Sequence, residues 1–300
     1  MLKKLINNYL NGVDKIIFTD YKKSYYRSEF LTKVNYYKKH LNLKWRKNHK
    51  NRGIAILVNR NIDYFAIIFA CWLCNGYYVP FTKYISKRNF DYQVKNSIVS
   101  LVAIEKKNKI FLKTVRSNLK KKFSNLSYII FTSGSTGEKK GVKISKKNFE
   151  SYISSIKKKF VNNFKPKSLL INGEISFDIV NADIAFALLF DSEICISEDS
   201  KNIFSFFDIL EKRKVESIYA VPSAWNVILY YAISLNKKFS FIKYINSGGE
   251  ILNLNLYKKL KKIAPNSKIH NFYGPTEFTI NSTCCEITKK EILNKSIIDK

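Results

Sequence analysis

The segment Tyr128-Ile-Ile-Phe-Thr-Ser-Gly-Ser-Thr-Gly-Glu-Lys-Lys-Gly-Val-Lys-Ile-Ser145 carries the strongest chemical pattern in the chain. An apolar run leads into Thr132, Ser133, Gly134, Ser135, Thr136 and Gly137, and two lysines, Lys139 and Lys140, precede Gly141. Glycines and short hydroxyl side chains let successive backbone N–H groups close on phosphate oxygens, while lysine adds mobile positive charge. The pattern is not a Walker A loop, because no Lys-Ser or Lys-Thr follows the second glycine at the required spacing. A plain turn would also use serine and glycine, but so many hydroxyls directly after a buried strand favour phosphate chemistry. The pair Cys71 and Cys74 has metal or redox spacing, yet it sits in an apolar run with no second pair and no neighbouring histidine. Helix packing is its expected role. His40 and His49 fall in Lys-rich segments expected at the surface, and His270 reads as a packed strand residue.

Short apolar runs that alternate with longer segments of helical period must position such a loop, and this alternation indicates an α/β fold of parallel sheets flanked by helices. Strands are expected at Gly53 to Val58, Ser100 to Ile104, Ser127 to Phe131, Ser168 to Ile171, Glu193 to Ser197, Val215 to Val221, Ile242 to Asn246 and Ser267 to Phe272. Helices are expected at Asn61 to Cys74, Lys147 to Val161, Asp178 to Phe190, Asn202 to Lys212, Ser223 to Ile233 and Leu254 to Ile263. Lys106 to Lys109 and Leu119 to Lys122 read as solvated connections, with a subdomain boundary expected near 123–127 and a second sheet beginning near Ser127.

With 300 residues, 46% hydrophobic and 25% charged, the chain is neither disordered nor a disulfide-stapled miniprotein. The formal charge of +30 suggests a polyanionic partner, but only seven of the 53 basic residues are Arg, and the lysines are spread along the whole length. Nucleic-acid readers concentrate charge and use Arg forks, so no specific nucleic-acid partner is expected. Five cysteines form no disulfide framework, the run Tyr64 to Leu73 is too short to cross a bilayer, and Asn7 and Asn8 interrupt the N-terminal apolar residues. A cytoplasmic protein without a membrane partner is the expectation.

The loop closely resembles the signature of the adenylate-forming, AMP-binding superfamily, and further motifs follow in that family's order. Ser24-Tyr-Tyr-Arg-Ser-Glu-Phe30, Asn75-Gly-Tyr-Tyr-Val-Pro-Phe81, Ser176-Phe-Asp178, Ser247-Gly-Gly-Glu250 and Asn271-Phe-Tyr-Gly-Pro-Thr-Glu277 stand in register over nearly the whole chain. Within the superfamily the sequence is most similar to amino-acid adenylation domains of nonribosomal peptide synthetases and to D-alanine:carrier-protein ligases. The resemblance implies ATP and Mg²⁺ as cofactors, a small amino acid or carboxylic acid as substrate, and a carrier protein with a phosphopantetheine arm as partner. The reaction it implies is attack of the substrate carboxylate on the α-phosphate, giving an acyl-adenylate and pyrophosphate, then transfer to the carrier thiol.

Residue by residue, the resemblance implies that Thr132 to Gly137 and Lys140 hold phosphates, and that Gly248, Gly249, Glu250, Asn271 and Tyr273 surround adenine. Thr276 would contact the α-phosphate and Glu277 would hold Mg²⁺. An aromatic face and a close backbone suit a flat heterocycle, and one carboxylate plus substrate oxygens suits Mg²⁺. Asp178 would pair with the substrate's α-ammonium, although an Asp before a helix is also a favoured N-cap. Ala182, Ala220, Ile245, Ser247, Phe272, Ile280 and Asn281 would line the side-chain pocket, with Phe272 filling space. Two positions depart from the family: Lys139 stands where Pro is usual, and Lys146 where many members have His.

Members of the family continue into a Thr-Gly-Asp segment, a hinge and a small C-terminal lid bearing a catalytic Lys, none of which is found after Glu286. Residues 1–300 are therefore expected to form an incomplete N-terminal domain that binds nucleotide weakly and needs a complementing segment to adenylate. Two other classes stay open: an acyl-CoA synthetase-type ligase in which Asp178 only caps a helix, and a noncatalytic nucleotide- or carrier-binding module or gene fragment.

Overall fold

A computed structural model of the protein describes residues 1–47, 51–115, 123–133, 139–199 and 202–288. Contacts divide the chain into two compact units, Met1–Ser155 with Glu174–Asp178, and Ile156–Gly173 with Ile179–Lys300.

The first unit opens with helix α1 (Leu2–Leu10), the hairpin β1 (Ile16–Thr19) and β2 (Ser24–Tyr26), and helix α2 (Arg27–Lys47). The hairpin turn is held by Asp20, whose Oδ1 accepts the backbone N–H of Lys22 at 2.9 Å and of Lys23 at 3.1 Å. Then follow β3 (Gly53–Leu57), α3 (Ile62–Leu73), β4 (Tyr77–Pro80), α4 (Lys87–Ser97), β5 (Leu101–Lys106), β6 (Lys109–Thr114), β7 (Leu126–Ser133), β8 (Lys139–Ser145) and α5 (Lys146–Phe160). Strands β3 to β8 form one sheet in the order β6-β5-β3-β4-β7-β8, parallel at its centre and antiparallel at both edges. Helix α3 is apolar on every side and buried from Tyr64 to Trp72, as a helix covered all round must be. Asn61 caps it, its side chain accepting the N–H of Asp63 at 3.0 Å and of Tyr64 at 3.2 Å. Cys71 and Cys74 end this helix as buried thiols, and burial pushes both up from the ordinary thiol range, so they pack.

The connection expected at Lys106 to Lys109 is instead the tip of a hairpin. Lys107 and Asn108 take φ values of 48° and 58°, the left-handed pair a two-residue hairpin turn requires. Strand β6 is an exposed edge whose outward lysines, Lys109 and Lys113, blunt further pairing. The Lys-rich stretch 119–122 lies outside the described residues. The segment 123–127, where the sequence suggests a boundary, leads into β7, which joins β4 of the same sheet through Tyr78 and Tyr128.

The second unit contains β9 (Ser168–Ile171), α6 (Ile179–Phe190), β10 (Glu193–Ile196), α7 (Ile203–Lys212), β11 (Ser217–Ala220), α8 (Pro222–Ser234), β12 (Tyr244–Gly248), α9 (Leu254–Ile263), β13 (Lys268–Tyr273) and β14 (Thr283–Glu286). Its strands run β14-β13-β12-β11-β9-β10, all parallel except β14, which returns antiparallel to β13. Both faces are covered, which explains the continuous apolar runs of its strands. On one face Ile218, Ala220, Ile245 and Ile269 pack with Trp225, Leu229, Leu256 and Leu260 of α8 and α9. On the other, Tyr219, His270 and Phe272 meet Phe160 and Phe186 in an aromatic layer.

Candidate functional site

In the first unit the hydroxyl-rich segment is flanked by the antiparallel pair β7 and β8. Thr132 pairs with Lys140 and Ser133 with Lys139, so the two strands bring the loop's ends together. Thr132 is half-buried, whereas Lys139 and Lys140 are exposed and free to carry charge to a ligand. Gly134, Ser135, Thr136 and Gly137 lie outside the described residues. Lys146 begins α5, half-buried, and its Nζ donates to Asn75 Oδ1 at 3.3 Å. Burial, helped by Lys3, pushes its ammonium down from the usual lysine range.

Asp178 immediately precedes α6, half-buried, with Oδ2 withdrawn from solvent. Its segment is pinned within the first unit, where the Tyr64 hydroxyl donates to the Ile175 carbonyl at 3.4 Å. The fully buried Tyr128 phenol is pushed well above its ordinary value, first by burial and then by the Asp178 carboxylate. It therefore remains a neutral hydroxyl beside that charge.

In the second unit a cleft of about 630 Å³ opens at the carboxyl ends of β12 and β13. Gly249, Glu250, Asn271 and Tyr273, four residues tied to adenine by the sequence resemblance, all line it, together with Ile251, Leu252, Phe272, Gly274, Pro275, Thr283 and Cys285. Ligands of parallel α/β sheets bind at this end of the strands. Tyr273 is 69% exposed, so it is not the core tyrosine that a chain rich in tyrosine would ordinarily supply. Glu250 also braces α8: its carboxylate accepts the Ser223 N–H at 2.8 Å and the Ser223 hydroxyl at 2.7 Å. Gly274 is required by a close approach, since a Cβ there would stand 2.6 Å from Ser282 N and 2.7 Å from Asn281 Cα.

Beyond Gly274 the chain turns sharply. Pro275 leads into a single 3-10 turn, Thr276–Phe278, with Thr276 half-buried and the Glu277 carboxylate exposed. Thr279 and Ile280 then take φ values of 67° and 73°, unusual for β-branched side chains. Asn281 N–H closes on the Thr279 carbonyl at 3.0 Å, making Ile280 the centre of a strained γ-turn. This turn carries Asn281 back to the sheet, where its Oδ1 accepts the Tyr219 hydroxyl at 3.0 Å.

The residues expected to line a side-chain pocket divide between the two faces of the sheet. Phe272 belongs to the aromatic layer facing α6, the helix that contains the fully buried Ala182. Ala220 and Ile245 belong to the opposite core under α8 and α9. Ser247 pairs with Ala220 and therefore shares that face; its hydroxyl is buried and has no hydrogen-bond partner among the described residues. The residues that share the face of Phe272 are instead their strand neighbours Tyr219, Asn246 and Gly248. Strand side chains alternate, so a slip of one residue exchanges the faces and places Tyr219 and Asn246, not Ala220 and Ile245, beside Phe272. His270 is a packed strand residue: Nδ1 lies 3.1 Å from Asn246 Oδ1, and burial lowers its pKa to about 4.

A family model for AMP-binding enzymes matches residues 11–297 of the chain. Among known relatives, dapdiamide synthesis protein DdaD of Enterobacter agglomerans is 25% identical over 256 residues, covering 79% of this chain and 42% of that protein. Gramicidin S synthase 2 of Brevibacillus brevis is 24% identical over 253 residues, covering 78% of this chain and 6% of that protein. The chain thus spans less than half the length of these relatives. Among solved structures, the nonribosomal peptide synthetase FmoA3 superposes with a TM-score of 0.80 at 14% identity, covering 96% of this chain and 32% of that one. The Vibrio cholerae adenylation domain AlmE, solved with glycyl-adenosine-5'-phosphate, gives 0.78 at 16% identity, covering 95% of this chain and 61% of that one. These likenesses establish a shared fold of layered parallel sheets and helices.

Proposed function

The chain belongs to the AMP-binding enzyme family, and from that premise we propose that it is the nucleotide-binding part of an amino-acid-activating ligase. A substrate carboxylate attacks the α-phosphorus of ATP; the bond to the pyrophosphate leaving group breaks and an aminoacyl-adenylate forms. A carrier-protein phosphopantetheine thiol then displaces AMP. The observation that carries this reading is the cleft at the ends of β12 and β13, which gathers an exposed aromatic ring, an amide side chain and a glycine turn.

In this reading Tyr273 stacks on adenine, and Asn271 with Gly248, Gly249 and Glu250 surrounds the base. Thr132 to Gly137 and Lys140 hold phosphates, and Thr276 contacts the α-phosphate. Fixed donors of this kind are worth about a hundredfold to a thousandfold each in rate, because charge builds on the phosphoryl oxygens. Asp178 pairs with the substrate ammonium, which a half-buried carboxylate is suited to do. Mg²⁺ fits Glu277 as a lone exposed carboxylate; the described residues hold no group of three acidic, histidine or cysteine side chains that would form a protein cage. The ion, when bound, would neutralise phosphate charge. No helix among the described residues is long and apolar enough to cross a membrane.

Calorimetric titration of the purified chain with ATP and Mg²⁺ tests this reading. Saturable binding that an aminoacyl-sulfamoyl adenosine displaces is expected. A folded chain that binds neither compound overturns it.

A further inference from the structure

A quarter of the chain's residues are charged, yet Pro222 to Asn236, a stretch that contains all of α8, holds no charged residue. The inner side of this helix accounts for only part of that, through Trp225, Ile228, Leu229 and Ala232 in the core beneath it. Its outer side is apolar too. Tyr230 is 70% exposed, and Val227 and Ile233, three residues before and after it, are half-exposed. Phe204 of α7, 72% exposed, sets its ring 6.3 Å from that of Tyr231, which in turn stands 5.4 Å from the Tyr230 ring. Leu235, also half-exposed, follows Tyr231 by four residues and extends the patch along the helix.

Scattered apolar side chains are ordinary on a protein surface, whereas a contiguous patch on a helix that is apolar all round marks an element meant to be covered. The exposed parts of Phe204, Val227, Tyr230, Ile233 and Leu235 come to roughly 500 Å². Two copies that cover each other there bury about 1,000 Å² in all, the area at which specific interfaces begin, and the exposed, uncharged rim of Ser223, Asn226, Ser234 and Asn236 adds to it. The spacing is self-complementary. About a two-fold axis at Tyr230, antiparallel helices set Tyr230 against its own copy and Val227 against Ile233 of the other, since each lies about 4.5 Å along the helix from the axis. Two chains that each carry a net charge of +30 can meet only where lysines do not face each other, and an uncharged helix provides that.

We propose that the outer face of α8, flanked by Phe204, is the surface through which two copies of this chain associate, α8 packing antiparallel on α8. The proposal is independent of nucleotide binding.

Sedimentation equilibrium of the purified 300-residue chain tests it. The wild type is expected to form a dimer that dissociates at roughly micromolar concentration, as about 1,000 Å² of apolar contact supports. Raising the salt from about 0.05 M to about 0.5 M should tighten the dimer, because it screens the repulsion between two cationic chains. Tyr230→Asp, at an exposed position, should weaken association at least about 30-fold by placing two carboxylates at the axis. Tyr84→Asp, at an exposed position of the first unit, should leave it unchanged. Under mild oxidation Tyr230→Cys should cross-link two chains, and Tyr84→Cys should not. A wild type that stays monomeric at about 100 µM overturns the proposal and leaves the helix face to a different protein. A dimer that dissociates as salt rises, or that persists in a folded Tyr230→Asp, overturns it as well. So does a Tyr230→Cys chain that fails to cross-link, whether or not Tyr230→Asp folds.

Discussion

Replacing Tyr273 by Ala separates binding from folding, because the ring already stands in solvent. At 69% exposure its removal leaves no cavity, so stability should change by no more than about 0.5 kcal/mol. The same ring walls the cleft, where it offers one face to a base. Stacking of a base on an aromatic side chain is worth about 1–3 kcal/mol when measured by alanine substitution. At about 1.4 kcal/mol per tenfold, the dissociation constant for ATP should rise by roughly 5- to 150-fold. Tyr273→Phe, which keeps the face and loses only the hydroxyl, should stay within about threefold of the parent chain. Calorimetric titration with ATP, with a thermal melt of each variant, reads both quantities. An alanine variant that melts with the parent and binds ATP within about twofold of it would refute the stacking argument. A large fall in melting temperature would instead mean that the ring supports the fold.

Ser247→Ala should leave analogue selectivity unchanged and stability equal or slightly higher, since it removes a buried hydroxyl that has no partner among the described residues; a change in selectivity would put Ser247 in the pocket after all. Gly274→Ala should cost about 1–3 kcal/mol in a denaturation experiment, because its Cβ would press on the backbone of Asn281 and Ser282 at 2.6–2.9 Å; a melt like that of the parent would refute this packing. Burial depresses the folded pKa of His270 to about 4, so the unfolded chain binds the proton first, and stability should fall as pH drops from about 6.5 toward 4, by up to about 3 kcal/mol. His270→Gln should flatten that part of the profile, and an equally steep profile in the variant would contradict the assignment. Asp178→Asn should weaken aminoacyl-sulfamoyl adenosines by about 30-fold or more and spare analogues that lack the amine; equal loss for both would make Asp178 a structural residue.

Much of this architecture could be read from apolar periodicity. Ser168–Ile171 and Leu254–Ile263 end where an unbroken apolar run and helical spacing place them, the first buried throughout and the second burying Leu256, Tyr257, Leu260 and Ile263 along one side. Strands β6 and β8 were hidden because they are edges. Their exposed lysines imitate solvated connections, and only the left-handed pair Lys107 and Asn108 betrays the hairpin. Helix α1 buries Leu2, Ile6, Tyr9 and Leu10 at helical spacing, but it is short, and Asn7 and Asn8 interrupt its apolar run. At the candidate site, the motif from Asn271 to Glu277 fixed the cleft residues because turn chemistry and an exposed ring are local properties. The two faces of the second unit's sheet were only half legible. Which of two adjacent strand residues faces α6 depends on what packs above and below the sheet, and that is set by residues as distant in sequence as Phe186 and Leu256.

A nucleotide seated in the cleft at the ends of β12 and β13 should shield the backbone that lines it. Backbone hydrogen exchange of the chain, with and without saturating ATP and Mg²⁺, measures that shielding. Exchange should slow at Gly248 to Leu252 and at Asn271 to Thr276, with the α4 and β6 amides unaffected. Binding without protection of those two segments, or with protection confined to other elements, would contradict it.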